Sequence, residues 1–414
     1  MKNKRDLFRG CLIGGAIGDA LGYEVEFDRW KSIKKRYGED GIRDLELKNG
    51  KAIISDDTQM TLFTAEGLAA GAKAERREDD TVFEHYIPYI WGAYQDWYLT
   101  QDWETQGTVN GKGHTGNSWL YTLSDMHHRR APGNTCLSAI AQFTDPYRRE
   151  QKWDASALRA GEDYPTTFDT INNSMGCGGV MRTAPVGLFF DSARINRFYV
   201  QKAEDISACS QEVEENNACS QNQEIRGEEF NNSMELIDML GAEAAALTHG
   251  HPLGYIPSAT LVHIVNRIVY RADEEKESLE QIVKDAVEFI EKLYDDIYGT
   301  VKFADLMRRA AAFANSDMDD HAAISMLGEG WTGHDALAIA VFAALRYKND
   351  FRRAIQCAVN HDGDSDSTGA IAGNILGAYL GYEAIRDAFE TNKLELRDEI
   401  LEMADRLYEA SESI

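Results

Sequence analysis

Two short acidic clusters, one near each end of the chain, contain the residue types best suited to chemistry. Residues 55–57 read SDD and precede an apolar run with helical spacing, and residues 361–368 read HDGDSDST. Serine and aspartate are favoured at helix N-termini, but one such residue is enough for each helix. Closely spaced carboxylates repel one another unless a cation lies between them, and oxygen-only ligands suit Mg²⁺, Mn²⁺ or Ca²⁺. The spacing therefore favours a metal site over helix capping.

The second cluster also permits two other motif interpretations. Its three aspartates match positions 1, 3 and 5 of an EF-hand loop, but Ser367 replaces the glycine and Gly373 replaces the final glutamate of that motif. The EF-hand is therefore excluded. Asp364, Asp366 and Thr368 also resemble the nucleophile loop of haloacid-dehalogenase-type phosphatases, although that loop should follow a buried strand. A Mg²⁺-dependent phosphohydrolase acting at Asp364 and Asp366 stays an alternative.

Each acidic cluster accompanies a segment in which glycine recurs every fourth residue. These glycines are Gly10, Gly14, Gly18 and Gly22 near the start, and Gly369, Gly373, Gly377 and Gly381 near the end. On a helix, positions four apart lie along one face, so each segment has a ridge without side chains. Glycine costs about 1 kcal/mol relative to alanine in a helix interior, and a close backbone contact would explain its repeated use. We therefore expect the two segments to pack together as central helices.

Composition and periodicity favour an all-α fold in a single domain spanning residues 1–414. Only seven prolines interrupt long stretches rich in Ala, Leu, Glu and Arg, and alternating runs typical of strands are few. Apolar residues at three- and four-residue spacing occur in residues 235–248, 275–293, 335–347 and 393–411. Residues 203–234 are acidic and rich in Asn and Gln, and we interpret them as a surface insertion.

The charge balance limits the classes of partner. The 69 acidic and 43 basic residues give a formal net charge of −26, which repels phosphate backbones and anionic lipid. Nucleic acid and membrane partners are therefore not expected, whereas a small anionic ligand is allowed because a bound divalent ion reverses the local charge. Six cysteines without a CxxC pair indicate neither a disulfide scaffold nor zinc. Asp19 interrupts an N-terminal apolar run that is shorter than the roughly 20 residues needed to span a bilayer, so we expect a cytoplasmic protein.

Seven sequence blocks, in order along the chain, resemble the signature blocks of the ADP-ribosylglycohydrolases. This family includes the dinitrogenase-reductase-activating glycohydrolase and the ADP-ribosylarginine hydrolases. The blocks are residues 14–22 with Glu26 and Phe27, then 55–58, 130–133, 176–182, 247–252, 333–336 and 363–369. The resemblance extends from about residue 8 to residue 382, apart from the predicted insertion. One block would be weak support, whereas seven in the right order are strong support.

The resemblance implies a compact orthogonal helical bundle that holds two Mg²⁺ ions, or Mn²⁺, between the early and late clusters. The implied metal ligands are Ser55, Asp56, Asp57, Asp364, Asp366 and Ser367. The implied catalytic carboxylates are Asp56, Asp57 and Glu26, acting as base toward water or as acid toward the leaving group. The sequence does not show which carboxylate acts as the acid and which as the base. Glu24 is an alternative to Glu26 for the position beside the metals.

A glycine-rich segment and one histidine are the candidate substrate contacts. The segment corresponds to the family's diphosphate-binding loop and contains Asn173, Ser174, Met175 and Gly176. Glycines let backbone N–H groups approach phosphate oxygens, and the serine adds a hydroxyl. His249 matches a histidine that contacts ribose or phosphate. Without the resemblance, an ordinary glycine-rich turn and a structural histidine would explain the same residues.

The implied function is Mg²⁺-dependent hydrolysis of the glycosidic bond that joins ADP-ribose to a protein side chain, with release of ADP-ribose. Arginine is the favoured linked residue because the blocks GDSDSTG and GHDA look most like the arginine-hydrolase branch. The partner would be an ADP-ribosylated protein or a small ADP-ribosyl compound. Two alternatives stay open. One is the phosphohydrolase, and the other is a non-catalytic ADP-ribose-binding protein, since the family fold also serves as a lens crystallin.

Overall fold

The computed structural model describes residues 3–75, 82–101, 108–109, 112–113, 118–143, 172–192, 233–270 and 277–414. The α-helices in these residues are numbered here in chain order. The first eight are α1 Lys4–Gly22, α2 Trp30–Tyr37, α3 Asp56–Lys73, α4 Val82–Gln101, α5 Asn134–Phe143, α6 Ala184–Phe189, α7 Ser233–Ala246 and α8 Pro252–Tyr270. The remaining helices are α9 Leu279–Leu293, α10 Thr300–Ala314, α11 Asp320–Leu327, α12 Gly333–Arg346, α13 Phe351–Val359, α14 Ser365–Leu380, α15 Tyr382–Ile385 and α16 Arg397–Ser411.

The prediction of an all-α fold is confirmed. The described strands are two-residue segments, β1 Thr108–Val109 and β2 Lys112–Gly113, which pair antiparallel. The four segments predicted from apolar spacing correspond to α7, α9, α12 and α16, with ends that shift by at most four residues. Helix α9, for example, begins after Ser278, whose hydroxyl accepts a hydrogen bond from the backbone N–H of Gln281. That cap defines the start more sharply than the periodicity does.

The two glycine ridges pack against each other, as the sequence predicted. A methyl group placed on Gly14 would overlap the carbonyl oxygen of Gly373, and one on Gly18 would overlap that of Gly369. Helices α1 and α14 therefore meet backbone to backbone along most of their length. Every residue of α1 from Gly10 onward is buried, and so is α14 from its first residue to Ala378. This pair forms the centre of the fold, with α3, α12, α13 and α16 packed around it.

The two central helices run antiparallel, and this arrangement sets the position of the acidic clusters. Gly22, at the end of α1, lies against the carbonyl of Ser365 at the start of α14. The chain that follows α1 therefore emerges beside the first turn of α14. The early and late parts of the sequence meet at this end of the helix pair.

Two further predictions concern the segment 203–234 and membranes. The predicted insertion lies outside the described residues, except that Ser233 and Met234 begin α7. Its role as an insertion, and the single-domain organisation, stay predictions. None of the helices in the described ranges is long and apolar enough to cross a bilayer.

Asp405 joins α16 to α1 through two arginines. Its carboxylate accepts hydrogen bonds from Arg5 Nε at 2.8 Å and from Arg9 Nη2 at 2.6 Å. Burial alone would raise the pKa of Asp405, but the hydrogen bonds from Arg9 and Arg5 outweigh it and lower the pKa to about 2. Because that value lies below the unfolded-state pKa of about 3.9, the stabilisation is complete above that unfolded value. It is lost as the pH falls toward 2.

We expect Asp405→Asn to lower the free energy of unfolding at pH 7 by about 1–2 kcal/mol, because the neutral amide loses the charge-assisted hydrogen bonds. Urea unfolding at pH 7 and at pH 3 measures the effect, and the gap between variant and wild type should narrow at the lower pH. Asp398→Asn is the matched control, since Asp398 lies on the same helix with its side chain 81% exposed. If the free energy of unfolding of Asp405→Asn differed from that of the wild type by the same amount at both pH values, the stabilising role of the ionised Asp405 carboxylate would be contradicted.

Candidate active site

Asp19, in the apolar glycine-rich helix α1, ties that helix to the first acidic cluster. Its buried carboxylate accepts hydrogen bonds from the backbone N–H groups of Ser55, at 2.9 Å, and Thr58, at 3.1 Å, and from the Thr58 hydroxyl. Burial raises the pKa of Asp19 to about 6, although these hydrogen bonds oppose the rise. Asp19 thus fixes the start of α3 against α1. Sequence reasoning gave it no role, yet a charge within an apolar helical face was a usable signal.

One residue of the first cluster caps α3, and the two aspartates after it do not. The Ser55 hydroxyl accepts the backbone N–H of Asp57 at 3.2 Å, which is the capping hydrogen bond. The Asp56 carboxylate accepts a long 3.4 Å bond from the N–H of Gly133. Asp57 Oδ1 is buried and has no hydrogen-bond partner among the described residues. Capping therefore explains the serine and leaves both carboxylates for another role.

The second cluster is built in the same way at the start of α14. Asp364 is the cap, because its Oδ1 accepts the backbone N–H of Ser367 at 3.2 Å. Asp366 Oδ1 lies 3.0 Å from the same N–H, and its side chain is also buried. The Cys177 thiol donates to the second oxygen of Asp364 at 2.7 Å. This contact joins the glycine-rich loop to the acidic cluster.

The two clusters and Glu26 lie close enough for their charges to affect one another. Burial raises the pKa of Asp57 well above its usual range, and the charges of Asp56 and Asp364 raise it further. Burial and the charge of Asp57 do the same to the pKa of Asp366. Glu26 follows the same pattern, because burial and then Asp364 and Asp56 raise its pKa to about 9. Carboxylates from both ends of the sequence therefore repel one another across a shared, largely dehydrated space.

The side chains that converge at the two clusters are of the types that bind a hard divalent cation. In the part of the chain that the structure describes, no three Cys, His, Asp or Glu side chains are arranged as a coordination group. The side chains that converge nevertheless offer oxygen atoms, the ligands that Mg²⁺ and Mn²⁺ prefer. Asp57 Oδ1 and Glu26 Oε2 are buried without a hydrogen-bond partner among the described residues. A bound cation would offset both their desolvation and the repulsion between the carboxylates.

The glycine-rich segment forms a tight loop beside the second cluster. The Ser174 hydroxyl accepts the N–H of Gly176 at 3.3 Å. The carbonyl of Met175 accepts the N–H of Gly333, at the start of α12, at 2.8 Å. The Met175 side chain is partly exposed, and Asn173 is exposed. The loop is therefore held by the Ser174 hydroxyl and by its backbone, and it leaves the side chains of Asn173 and Met175 accessible.

His249 packs behind this loop and is held by a buried arginine. Its Nδ1 lies 2.8 Å from the Thr248 hydroxyl, which accepts a 2.6 Å hydrogen bond from Arg182. Burial and the charge of Arg182 lower the pKa of His249 to about 3, so the imidazole is neutral near pH 7. A methyl group on Gly176 would lie 3.2 Å from His249 Nε2, which places the ring directly against the loop. Sequence reasoning singled out His249 but not Arg182.

Comparison with known proteins gives a family match along nearly the whole chain. A family model described as ADP-ribosylglycohydrolase matches residues 1–220 and 230–413. The gap in the match, residues 221–229, falls within the segment interpreted as an insertion. An uncharacterized protein of Archaeoglobus fulgidus is 25% identical, over 97% of this chain and 96% of that protein.

A named relative and a solved structure are also similar to this chain. ADP-ribosylhydrolase ARH1 of Dictyostelium discoideum is 22% identical, over 92% of this chain and 88% of the relative. A solved structure titled ADP-ribosylglycohydrolase-related protein complex superimposes with a TM-score of 0.55 at 20% identity. That match covers 99% of this chain and 100% of the other, and at this identity it establishes the shared fold alone.

Proposed function

We propose that this chain, which belongs to the ADP-ribosylglycohydrolase family, hydrolyses the glycosidic bond between ADP-ribose and a protein side chain and releases ADP-ribose. One observation carries the proposal. Buried carboxylates from both ends of the sequence lie together where α1 ends beside the start of α14, and the Cys177–Asp364 hydrogen bond joins them to a glycine-rich loop. The partner would be an ADP-ribosylated protein or a small ADP-ribosyl compound.

Two Mg²⁺ ions, or Mn²⁺, are the proposed cofactors. The side chains that would hold them are Ser55, Asp56, Asp57, Asp364, Asp366 and Ser367. When bound, the ions would supply Lewis-acid chemistry that orients the ribose hydroxyls and acidifies water. The buried, partly unpartnered oxygens of these clusters support this assignment.

The carboxylates of the chain would carry the charge and proton movements of the reaction. Bond cleavage at C1″ of the ribose distal to adenosine develops positive charge on the sugar, which nearby carboxylates stabilise. Water attacks C1″, the bond to the side-chain nitrogen or oxygen breaks, and the leaving group takes up a proton. Glu26, Asp56 and Asp57 are the proposed groups that accept the proton of the water and return one to the leaving group.

The glycine-rich loop is the proposed site for the diphosphate. Asn173, Ser174, Met175 and Gly176 present backbone and hydroxyl groups on an accessible loop. Neutral His249 lies against this loop with its Nε2 toward Gly176. We propose that this nitrogen hydrogen-bonds to phosphate or ribose. The Cys177–Asp364 contact joins this loop to the acidic cluster, which supports a diphosphate site next to the proposed catalytic carboxylates.

Arginine is the proposed linked residue, since the acidic surroundings of the site suit a cationic leaving group. The test is to incubate the protein with arginine-linked, serine-linked and free ADP-ribosyl substrates in parallel. We expect release of ADP-ribose from the arginine-linked substrate, its loss on addition of EDTA, and its recovery with excess Mg²⁺ or Mn²⁺. Release of inorganic phosphate instead would identify a phosphohydrolase. Calorimetric binding of ADP-ribose without turnover of any substrate would identify a non-catalytic binding protein.

A further inference from the structure

Two aromatic side chains, Phe27 and Trp331, are stacked on each other in an exposed position. The Phe27 side chain is 74% exposed and that of Trp331 is 40% exposed. Their ring centroids lie 5.9 Å apart with the planes only 22° from parallel. Large apolar side chains that are exposed together mark an interaction surface more often than isolated ones do. The pair is therefore a candidate binding surface.

The pair lies at the rim of the carboxylate site. Phe27 directly follows Glu26, whose carboxyl group lies close enough to Asp364 and Asp56 to be affected by their charges. Trp331 belongs to the loop whose Glu329 carbonyl accepts the backbone N–H of Asp364 at 2.8 Å. An ion pair of 2.7 Å between Arg29 and Glu329 joins the two segments that carry the aromatic rings. The rings therefore stand at one edge of the site, on segments that are held to each other.

We propose that Phe27 and Trp331 form a subsite for the leaving group and stack on the planar guanidinium of ADP-ribosylated arginine. This inference rests on the proposed function. A guanidinium binds aromatic faces through its charge and its flat shape, and a neutral serine side chain offers neither. The Asp364 segment is held to the Trp331 loop by a backbone hydrogen bond, so the Asp364 carboxylate adds negative charge that complements a cation near this position. The nearby Arg29 is paired with Glu329 at 2.7 Å.

Adenine is the other planar group of the substrate that could stack here. It is neutral, and the diphosphate lies between it and the ribose at which the bond breaks. The guanidinium is bonded directly to the carbon at which the bond breaks, and the aromatic pair lies beside the carboxylates proposed to act on that bond. The position of Phe27 and Trp331 therefore favours the guanidinium.

The test compares two substrates built on one peptide, with ADP-ribose linked to arginine in the first and to serine in the second. Phe27→Leu and Trp331→Leu keep apolar bulk but remove an aromatic face, whereas Phe27→Tyr keeps the face. We expect each leucine variant to lower kcat/KM for the arginine-linked peptide roughly tenfold, mainly through KM. The serine-linked value should change by less than about twofold, and Phe27→Tyr should match the wild type.

Met326→Ala is the matched control, because Met326 is 55% exposed on α11 and is placed in no part of the site. It should leave both substrates unchanged. Equal losses for the two linkages, together with weaker calorimetric binding of ADP-ribose, would assign the pair to adenine and overturn the inference. If the wild-type protein hydrolysed neither peptide, the proposed function itself would be contradicted. If the wild-type protein were active and the leucine variants showed no selective loss for the arginine-linked peptide, only the proposed subsite would be contradicted.

Discussion

Replacing Asp364 with asparagine is expected to lower the rate of ADP-ribose release about a thousandfold or more and to leave the helical fold intact. Asparagine keeps a side-chain oxygen that can accept the N–H of Ser367, so the cap of α14 survives. The negative charge that would hold a divalent cation is lost. A metal site contributes several kcal/mol to catalysis, and each 1.4 kcal/mol is about tenfold in rate. Initial rates at saturating Mg²⁺ measure the effect.

The stability of this variant separates a lost metal site from a damaged fold. Without divalent cations, Asp364→Asn should be at least as stable as the wild type, because it removes one of several buried, mutually repelling charges. Mg²⁺ should then raise the Tm of the wild type and leave that of the variant unchanged. Asp319→Asn is the control, since Asp319 caps α11 through the N–H of Ala322 at 3.1 Å on an exposed surface. Full activity of Asp364→Asn would refute the proposed site.

The sequence predicted the acidic clusters because both occur where helices begin, and helix starts have a local signature. Ser55 and Asp364 act as caps. Each cluster contains more carboxylates than one cap requires, and this excess is visible in the local sequence. The contacts of Asp19 and Arg182 were not predictable in that way. Their partners lie 36 to 66 positions away along the chain, and no local pattern specifies such partners. The stacking of Phe27 on Trp331 belongs to the same class.

Some elements of the fold could be predicted from local periodicity, and others depend on tertiary contacts. Long amphipathic helices such as α9 and α12 follow from apolar spacing, because one face of each must be buried. Short helices such as α6 and α15 did not, since four to six residues contain too few turns for a period to show. The packing of α1 on α14 was an exception among long-range contacts. Matching glycine spacings in two distant segments carried that information.

Gly18→Ala should be strongly destabilising, although alanine is the better helix former. In an exposed helix this change would stabilise by about 1 kcal/mol. Here the added methyl group would overlap the carbonyl oxygen of Gly369, which is backbone of α14 and cannot rotate away. We expect the free energy of unfolding to fall by about 3 kcal/mol or more, measured by urea or thermal unfolding. Gly133→Ala is the control, since a methyl group there meets nothing within 4 Å.

The reciprocal substitution, Gly369→Ala, tests whether the effect arises from one shared contact. Its methyl group would overlap the carbonyl oxygen of Gly18, so either variant alone must push α1 and α14 apart. Once the helices have separated, a second methyl group costs less, and the double variant should lose less stability than the two single losses added together. Because Asp19 fixes the start of α3 to α1, the same separation would move Asp56 and Asp57 away from the acidic residues of α14. Mg²⁺ should therefore stabilise these variants less than it stabilises the wild type. A stability gain near 1 kcal/mol in Gly18→Ala would mean that the glycine ridge is not a packing surface.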